Sequence, residues 1–410
     1  MLTASRITAL VAEHEAWRSR CMNLIASENA LSPAVRRYLS SDFVQRYGNY
    51  LCRDLTDRRY AGNRYVQQIE VALDELVREM FGATEVELRA ISGHVAGLAV
   101  IMATCRPGDT VVELASADGG HCMAEKAARS SLIELQAVPL PFDPLRYNVD
   151  AQATCSLIVE RQPRLVIIGS SNWLFPAPIR EIAACLPKSP RTVLAYDASH
   201  VFGLLACGQF QDPLREGAAV VFGSTHKTLP GPQGGLIISN DAGLMGAVAT
   251  AVYPGIVTNH HLMRAPALAL ALLEMRAHPG YGCQVVRNAQ ALARGLTDHG
   301  LAVVGADHGY TRSHTVMASV AEHGRGRTIA ALLEEADVMI SYARLPAPLG
   351  TEGIRLGTSE VTRLGAVEAD IEIAAEIVAG VVQGKVAPSV ARDLVHAWAE
   401  RLPGIRYSDL

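Results

Sequence analysis

Lys227 lies between an apolar run, Ala218 to Phe222, and the Gly/Pro-rich stretch Leu229-Pro-Gly-Pro-Gln-Gly-Gly235. A second apolar run follows from Leu236 to Ile238. A strand, a lysine-bearing loop and a second strand hold a flexible amine at a fixed point beside a sheet edge. That suits a lysine that forms a Schiff base with an aldehyde cofactor. A loop lysine is ordinarily a solvated charge, but an upstream segment changes the reading. There the apolar run Thr192 to Tyr196 ends in Asp197, with His200 shortly after. An aspartate at a strand end can simply cap the next helix. Paired with a downstream lysine it reads instead as facing a cationic ring nitrogen, whose charged form it favours, so that the ring becomes an electron sink.

Three further groups suit the same chemistry. Ser92-Gly93-His94 opens an apolar helical stretch, Val95 to Cys105. The free N–H groups and the dipole at such an end attract an anion such as a cofactor phosphate, although an ordinary cap has the same signature. Gly119-Gly120-His121 follows a strand and loop, so its imidazole can lie flat on an aromatic ring or serve as a structural hydrogen bonder. Arg355, in Gly353-Ile-Arg-Leu-Gly357, can hold a substrate α-carboxylate with its bidentate fork, or form a surface salt bridge.

The elements that must position these groups are legible in outline. Apolar runs at Thr110 to Leu114, Leu165 to Gly169, Thr192 to Asp197, Ala218 to Gly223 and Gly235 to Ser239 are continuous rather than alternating. Strands covered on both faces have this pattern, and the helical segments between several of them predict an α/β fold with a largely parallel sheet. Ser32-Pro33 reads as a helix start, and Val66 to Met80 as an amphipathic helix. The texture changes near Pro279-Gly280 to short strands mixed with helices. The predicted division is an N-terminal arm (1–60), a large cofactor-binding domain (61–279) and a smaller α+β C-terminal domain (280–410).

The 410 residues are 49% hydrophobic and 19% charged, enough for a large core, and the net charge of −4 comes without a basic run, so nucleic acid is not an expected partner. Residues 1–20 read as a surface helix rather than a signal peptide. The longest uncharged apolar stretches fall short of the roughly 20 residues a membrane span needs. The 8 cysteines are dispersed with no CxxC pair, which predicts neither a metal site nor a disulfide framework, and points to a reducing cytoplasm.

Taken in order, Asn23-Leu-Ile-Ala-Ser-Glu-Asn29, Ser92-Gly93, Gly119-Gly-His121, Asp197-Ala-Ser-His200, Ser224-Thr-His-Lys-Thr-Leu-Pro-Gly-Pro-Gln-Gly-Gly235 and Gly353-Ile-Arg-Leu-Gly-Thr358 resemble serine hydroxymethyltransferase. The resemblance runs from Met22 to beyond Arg363. It implies a fold-type I enzyme dependent on pyridoxal 5′-phosphate, with a mostly parallel seven-stranded sheet in its large domain. It also implies a small-molecule amino-acid substrate and a homodimer with active sites at the interface. By that likeness Lys227 carries the cofactor, Asp197 pairs with the pyridinium nitrogen, and His121 stacks on the ring. Ser92, Gly93, His94, His200, Ser224 and His226 complete the cofactor site. Arg355 binds the substrate carboxylate, with Tyr47, Asn49, Tyr60 and Asn172 also placed at the substrate; Tyr60 is grouped with Lys227, Asp197 and His121 as catalytic.

The departures from the family pattern shape the functional expectation. Asn49 stands where the family has a glutamate that handles protons in folate-dependent transfer, and an amide cannot shuttle a proton at neutral pH. The segment Tyr50 to Tyr60 is longer than the family's loop and carries Arg59 where a tyrosine is common. His94 replaces a serine, Gln233 an arginine, and Thr258-Asn259 a pair of glycines supplied by the partner subunit. These changes suggest an intact amino-acid site beside a degenerate folate site. Which Cα bond breaks is then a matter of orientation. The leading expectation is processing of a bulky cysteine S-conjugate in antibiotic metabolism, as in the lincosamide-pathway branch, by C–S β-elimination or decarboxylation-coupled oxidative deamination without folate. The alternative is serine hydroxymethyltransferase or threonine aldolase/transaldolase activity. A non-catalytic role sits poorly with the complete lysine, aspartate, histidine and arginine set.

Overall fold

A computed structural model describes residues 2–346 and 350–408. The chain forms two compact units, Asn29–Cys283 with the residues from Tyr407 onward, and Met1–Glu28 with Gln284–Arg406.

The larger unit is built on a seven-stranded sheet of β1 (Glu85–Glu87), β2 (Thr110–Glu113), β3 (Gln136–Pro139), β4 (Leu165–Ile168), β5 (Val193–Asp197), β6 (Val220–Ser224) and β7 (Gly235–Ser239). Its order is β1-β7-β6-β5-β4-β2-β3. The pairs from β6 through β3 are parallel, while β7 runs antiparallel to both its neighbours. Every residue of β4, β6 and β7 is buried, the reason their sequences are unbroken apolar runs.

Helix α1 (Arg64–Phe81) buries Val66, Leu73, Leu76 and Val77 along one stripe and ends at Gly82, whose φ of 61° suits the left-handed cap. Helix α2 (Gly93–Thr104) is apolar all round and packs into the core with Val111, Ile167 and Phe222. Helix α3 (Arg264–Ala277) buries Ala267, Leu268, Ala271 and Leu272.

In the smaller unit β8 (Ala302–Val303), β9 (Thr315–Ser319), β10 (Ser341–Arg344) and β11 (Glu352–Gly357) form an antiparallel sheet ordered β8-β9-β11-β10. Met1–Glu28 groups with this unit. Met22–Asn23 pairs in parallel with Val338–Met339, and Trp17 Nε1 donates to Asp337 Oδ1 at 2.7 Å.

The expectation of no disulfide is corrected: Cys155 and Cys185 are bonded, their Cα atoms 5.7 Å apart. Their separation of 30 positions is spanned by the turn from one helix, Ala151–Arg161, through β4 to another, Ile179–Ala183. Dispersal along a chain says nothing about proximity once helices fold back beside each other. Among the described residues no helix is long and apolar enough to cross a membrane, and no group of three or more His, Cys, Asp or Glu side chains could hold a metal ion.

Candidate active site

The parallel strands converge on a cavity of about 250 Å³ at their C-terminal ends. Open α/β sheets place ligand sites there because the loops leaving successive strands diverge. Asp197 closes β5 and Ser224 closes β6; His226 and Lys227 follow in the loop, and His121 comes from the loop beyond β2. Ser92, Gly93 and His94 enter at the start of α2. All nine residues expected at the cofactor, namely Ser92, Gly93, His94, His121, Asp197, His200, Ser224, His226 and Lys227, line this one cavity.

The walls are close enough that an added Cβ would force a shift at two points. A Cβ on Gly93 would lie 2.3 Å from Ser224 Oγ and 2.7 Å from its backbone nitrogen. A Cβ on Gly169 would lie 2.4 Å from the Asp197 Cβ. Gly169 therefore lets β4 approach the aspartate from one side. On the other side Asp197 Oδ1 accepts the backbone N–H of Ser199 at 2.9 Å, and Ser199 Oγ accepts that of Ser224 at 3.1 Å. Ser92 Oγ accepts the Val95 N–H at 3.1 Å, which caps α2 and leaves the hydroxyl proton available for another acceptor.

His94 Nδ1 and His121 Nε2 share a hydrogen bond of 3.1 Å, their rings edge to face at 5.2 Å. Burial, then the charge of Lys126, pushes the His121 imidazole down to about 4, with Asp197 opposing the shift. His226 is pushed down to about 4 by burial, then by Lys227 and Arg264. Both rings are therefore neutral at neutral pH and able to pack against a flat ring without adding charge.

The donor set fits pyridoxal 5′-phosphate on structural grounds. A helix start with Ser92 and Gly93 suits the phosphate, Lys227 offers an amine for the aldehyde, Asp197 a carboxylate for the ring nitrogen, and His121 and His226 uncharged rings.

The remaining expected residues lie elsewhere. Tyr47 and Tyr60 pack on each other at 5.4 Å, 52% and 40% exposed, and neither lines the cavity. Asn49 is buried and donates to the Thr258 carbonyl at 2.8 Å. Asn172 is buried just outside the wall; its backbone N–H donates to Ser170 Oγ at 3.0 Å. Arg355 belongs to the other unit, on β11, where its Nε donates to Ser341 Oγ at 3.1 Å. The cavity also draws on Gly169, Ser170, Ser171 and Ser199, which sequence reasoning missed. The signal was there: small polar residues directly after a buried parallel strand mark its ligand-facing end.

Two arginines of the loop between Tyr47 and Tyr60, Arg53 and Arg58, serve structure. Arg58 ion-pairs with Glu70 at 2.6 Å and donates to the carbonyls of Gly48 and Leu55, each at 2.7 Å. Arg53 pairs with Glu85.

A mostly parallel seven-stranded sheet with a lysine, an aspartate and a helix start around one cavity defines a fold-type I pyridoxal-phosphate enzyme. Comparison with known proteins makes this specific: a family model described as serine hydroxymethyltransferase matches residues 3–378, and the chain belongs to that family. The chain is 39% identical over 407 residues to a serine hydroxymethyltransferase of Methanopyrus kandleri, covering 98% of this chain and 94% of the relative. A second, from Aeropyrum pernix, is 39% identical over 411 residues, covering 98% and 92%. Among solved structures, L-threonine transaldolase from Pseudomonas fluorescens, in its internal aldimine state, superposes with a TM-score of 0.93 at 28% identity, covering 98% of this chain and 93% of that one. The cofactor is pyridoxal 5′-phosphate, and the protein is a transferase or aldolase dependent on it.

These relatives overturn the leading expectation from sequence. Proteins 36–39% identical over nearly the whole chain are named serine hydroxymethyltransferase, which contradicts a specialised role on cysteine S-conjugates. Neither a lincosamide-pathway branch nor a degenerate folate site has support. Agreement along nearly the whole chain outweighs single differences such as Asn49 and Gln233.

Proposed function

We propose that this protein interconverts serine and glycine, passing the hydroxymethyl carbon to or from tetrahydrofolate. The observation that carries the reading is the convergence of Lys227, Asp197, His121 and the Ser92-Gly93 helix start on one cavity in a chain of this family.

When bound, pyridoxal 5′-phosphate supplies an electron sink conjugated to the amino-acid Cα. Lys227 would hold the cofactor aldehyde through its amine, and that amine is also placed to act as a base within the same cavity. Asp197 holds the proton on the ring nitrogen, which deepens the sink. The neutral ring of His121 covers one face without competing for that proton. Ser92, Gly93 and Ser224 would hold the phosphate end, and the orientation so imposed would select which Cα bond breaks. Arg355 is proposed from its motif as the carboxylate partner, and a homodimer as the working assembly.

The deciding assay follows glycine formation from serine with and without tetrahydrofolate. Folate-dependent turnover supports the proposal; turnover of threonine or phenylserine alone would replace it with an aldolase or transaldolase reading, which the likeness to L-threonine transaldolase favours as second choice.

A further inference from the structure

Arg264 begins α3 with its guanidinium buried. Nη1 donates to the Ala90 carbonyl at 2.7 Å and Nη2 to the Gly235 carbonyl at 3.1 Å. The Ala90 carbonyl also receives the Gly235 N–H at 2.9 Å. Ala90 leads into Ser92 and Gly93; Gly235 ends the loop that carries Lys227. A Cβ on Gly235 would lie 2.3 Å from the Ser92 carbonyl oxygen, so the two segments touch directly. A Cβ on Gly234 would lie 1.8 Å from Arg264 Nη2.

Among the described residues this guanidinium has no ion-pair partner, and its Nε has no acceptor. Glu70, the carboxylate whose charge reaches it, is already engaged by Arg58 and His260. Burial pushes the group down to about 10, and its positive charge is felt at His226 and His261. A buried cation without a counter-charge is costly, and sites that keep one normally have an anion for it. The adjoining cavity takes a phosphate.

We propose that Arg264 is the fixed counter-charge for the cofactor phosphate: bridging Ala90 and Gly235, it keeps the Ser92-Gly93 segment and the Lys227 loop in register and sets a buried positive charge behind them, which an anion in the cavity compensates. It is a positioning residue, acting through the backbone of both segments.

The test compares the parent apoprotein with Arg264→Gln, which keeps donor groups but loses the charge, and Arg264→Lys, which keeps the charge. Pyridoxal 5′-phosphate is titrated by tryptophan fluorescence, and thermal denaturation is followed in inorganic phosphate against chloride of equal ionic strength. Arg264→Gln is expected to bind the cofactor about tenfold more weakly, and Arg264→Lys within about threefold of the parent. Phosphate should raise the parent's midpoint above chloride, by linkage to the anion-binding state, and this gain should vanish in Arg264→Gln. Cofactor binding by Arg264→Gln within about twofold of the parent overturns the proposal. Equal midpoints of the parent in phosphate and chloride do the same, and that arm stands even if Arg264→Gln does not fold. Labelling of Lys227 by borohydride in the parent checks the cofactor assignment independently.

Discussion

Two buried regions of the larger unit handle charge in opposite ways. Around Tyr50 the charges are matched. Glu70 pairs with Arg58 at 2.6 Å and with His260 Nε2 at 2.7 Å; Arg89 pairs with Glu87 at 2.5 Å and lies 4.3 Å over the Tyr50 ring. Arg89 also donates to the carbonyls of Tyr50 at 3.1 Å and Cys52 at 2.7 Å. Burial alone would raise the Glu70 carboxyl, but His260 and Arg58 outweigh it and hold the group below its usual range. Around Lys227 the polar groups surround open space, and two imidazoles are held neutral by burial. The first region spends its polar groups on fixing a loop, whereas the second keeps them for a ligand. A high density of buried charge is thus no guide to the reacting site; space beside it is.

The comparison breaks most visibly at Lys227. Lys227→Ala should lower turnover by at least about 10³-fold, as loss of a covalent catalytic group does, while the denaturation midpoint of the apoprotein changes little. Equal losses of fold and activity would show that the two regions do not differ as described.

Asp197→Asn should lower kcat by about 10²-fold, the scale of a misplaced proton, with cofactor still bound. A change confined to KM would remove Asp197 from the ring nitrogen.

Glu70→Ala is the mirror experiment. Removing one partner leaves Arg58 and His260 unmatched in the interior, and should cost about 3–5 kcal/mol of stability in chemical denaturation. The borohydride label at Lys227 should persist under native conditions.

A smaller effect is expected from Gly169→Ala. The added methyl meets the Asp197 Cβ, so a shift costing about 1–3 kcal/mol should accompany weaker cofactor binding, both measurable by titration and denaturation.

The smallest concerns pH. His121 and His226 have folded-state values near 4, below the ordinary 6.5, so the unfolded chain binds their protons more readily. Their contribution to stability is present above 6.5 and is lost as pH falls from there toward 4. The apoprotein midpoint should decline across that window, and His226→Gln should flatten the decline.

Much of the site was legible in the chain itself. The lysine loop, the strand-terminal Asp197, and the serine and glycine ahead of an apolar helix each have a local signature, because strands and helix starts are set by nearby residues. Nine expected residues meet in one cavity for that reason. Ser170, Ser171 and Ser199 escaped notice because serine after a strand is common, and the choice among such loops depends on strand order. The substrate expectation failed where it rested on a few positions such as Asn49 and Arg59; the loop they sit in is held by Arg53 and Arg58 through Glu85 and Glu70, which lie in other elements.

The sequence by itself determined the fold class, the cofactor chemistry and nine residues of the cavity wall, since these follow from apolar periodicity and from side-chain types at strand ends. The tertiary structure alone decided which charges are matched and which are left facing a cavity, and it brought Cys155 to Cys185 and Arg264 to Ala90 and Gly235. Pairing across long separations is fixed by strand order and helix packing, and no local pattern along the chain records it.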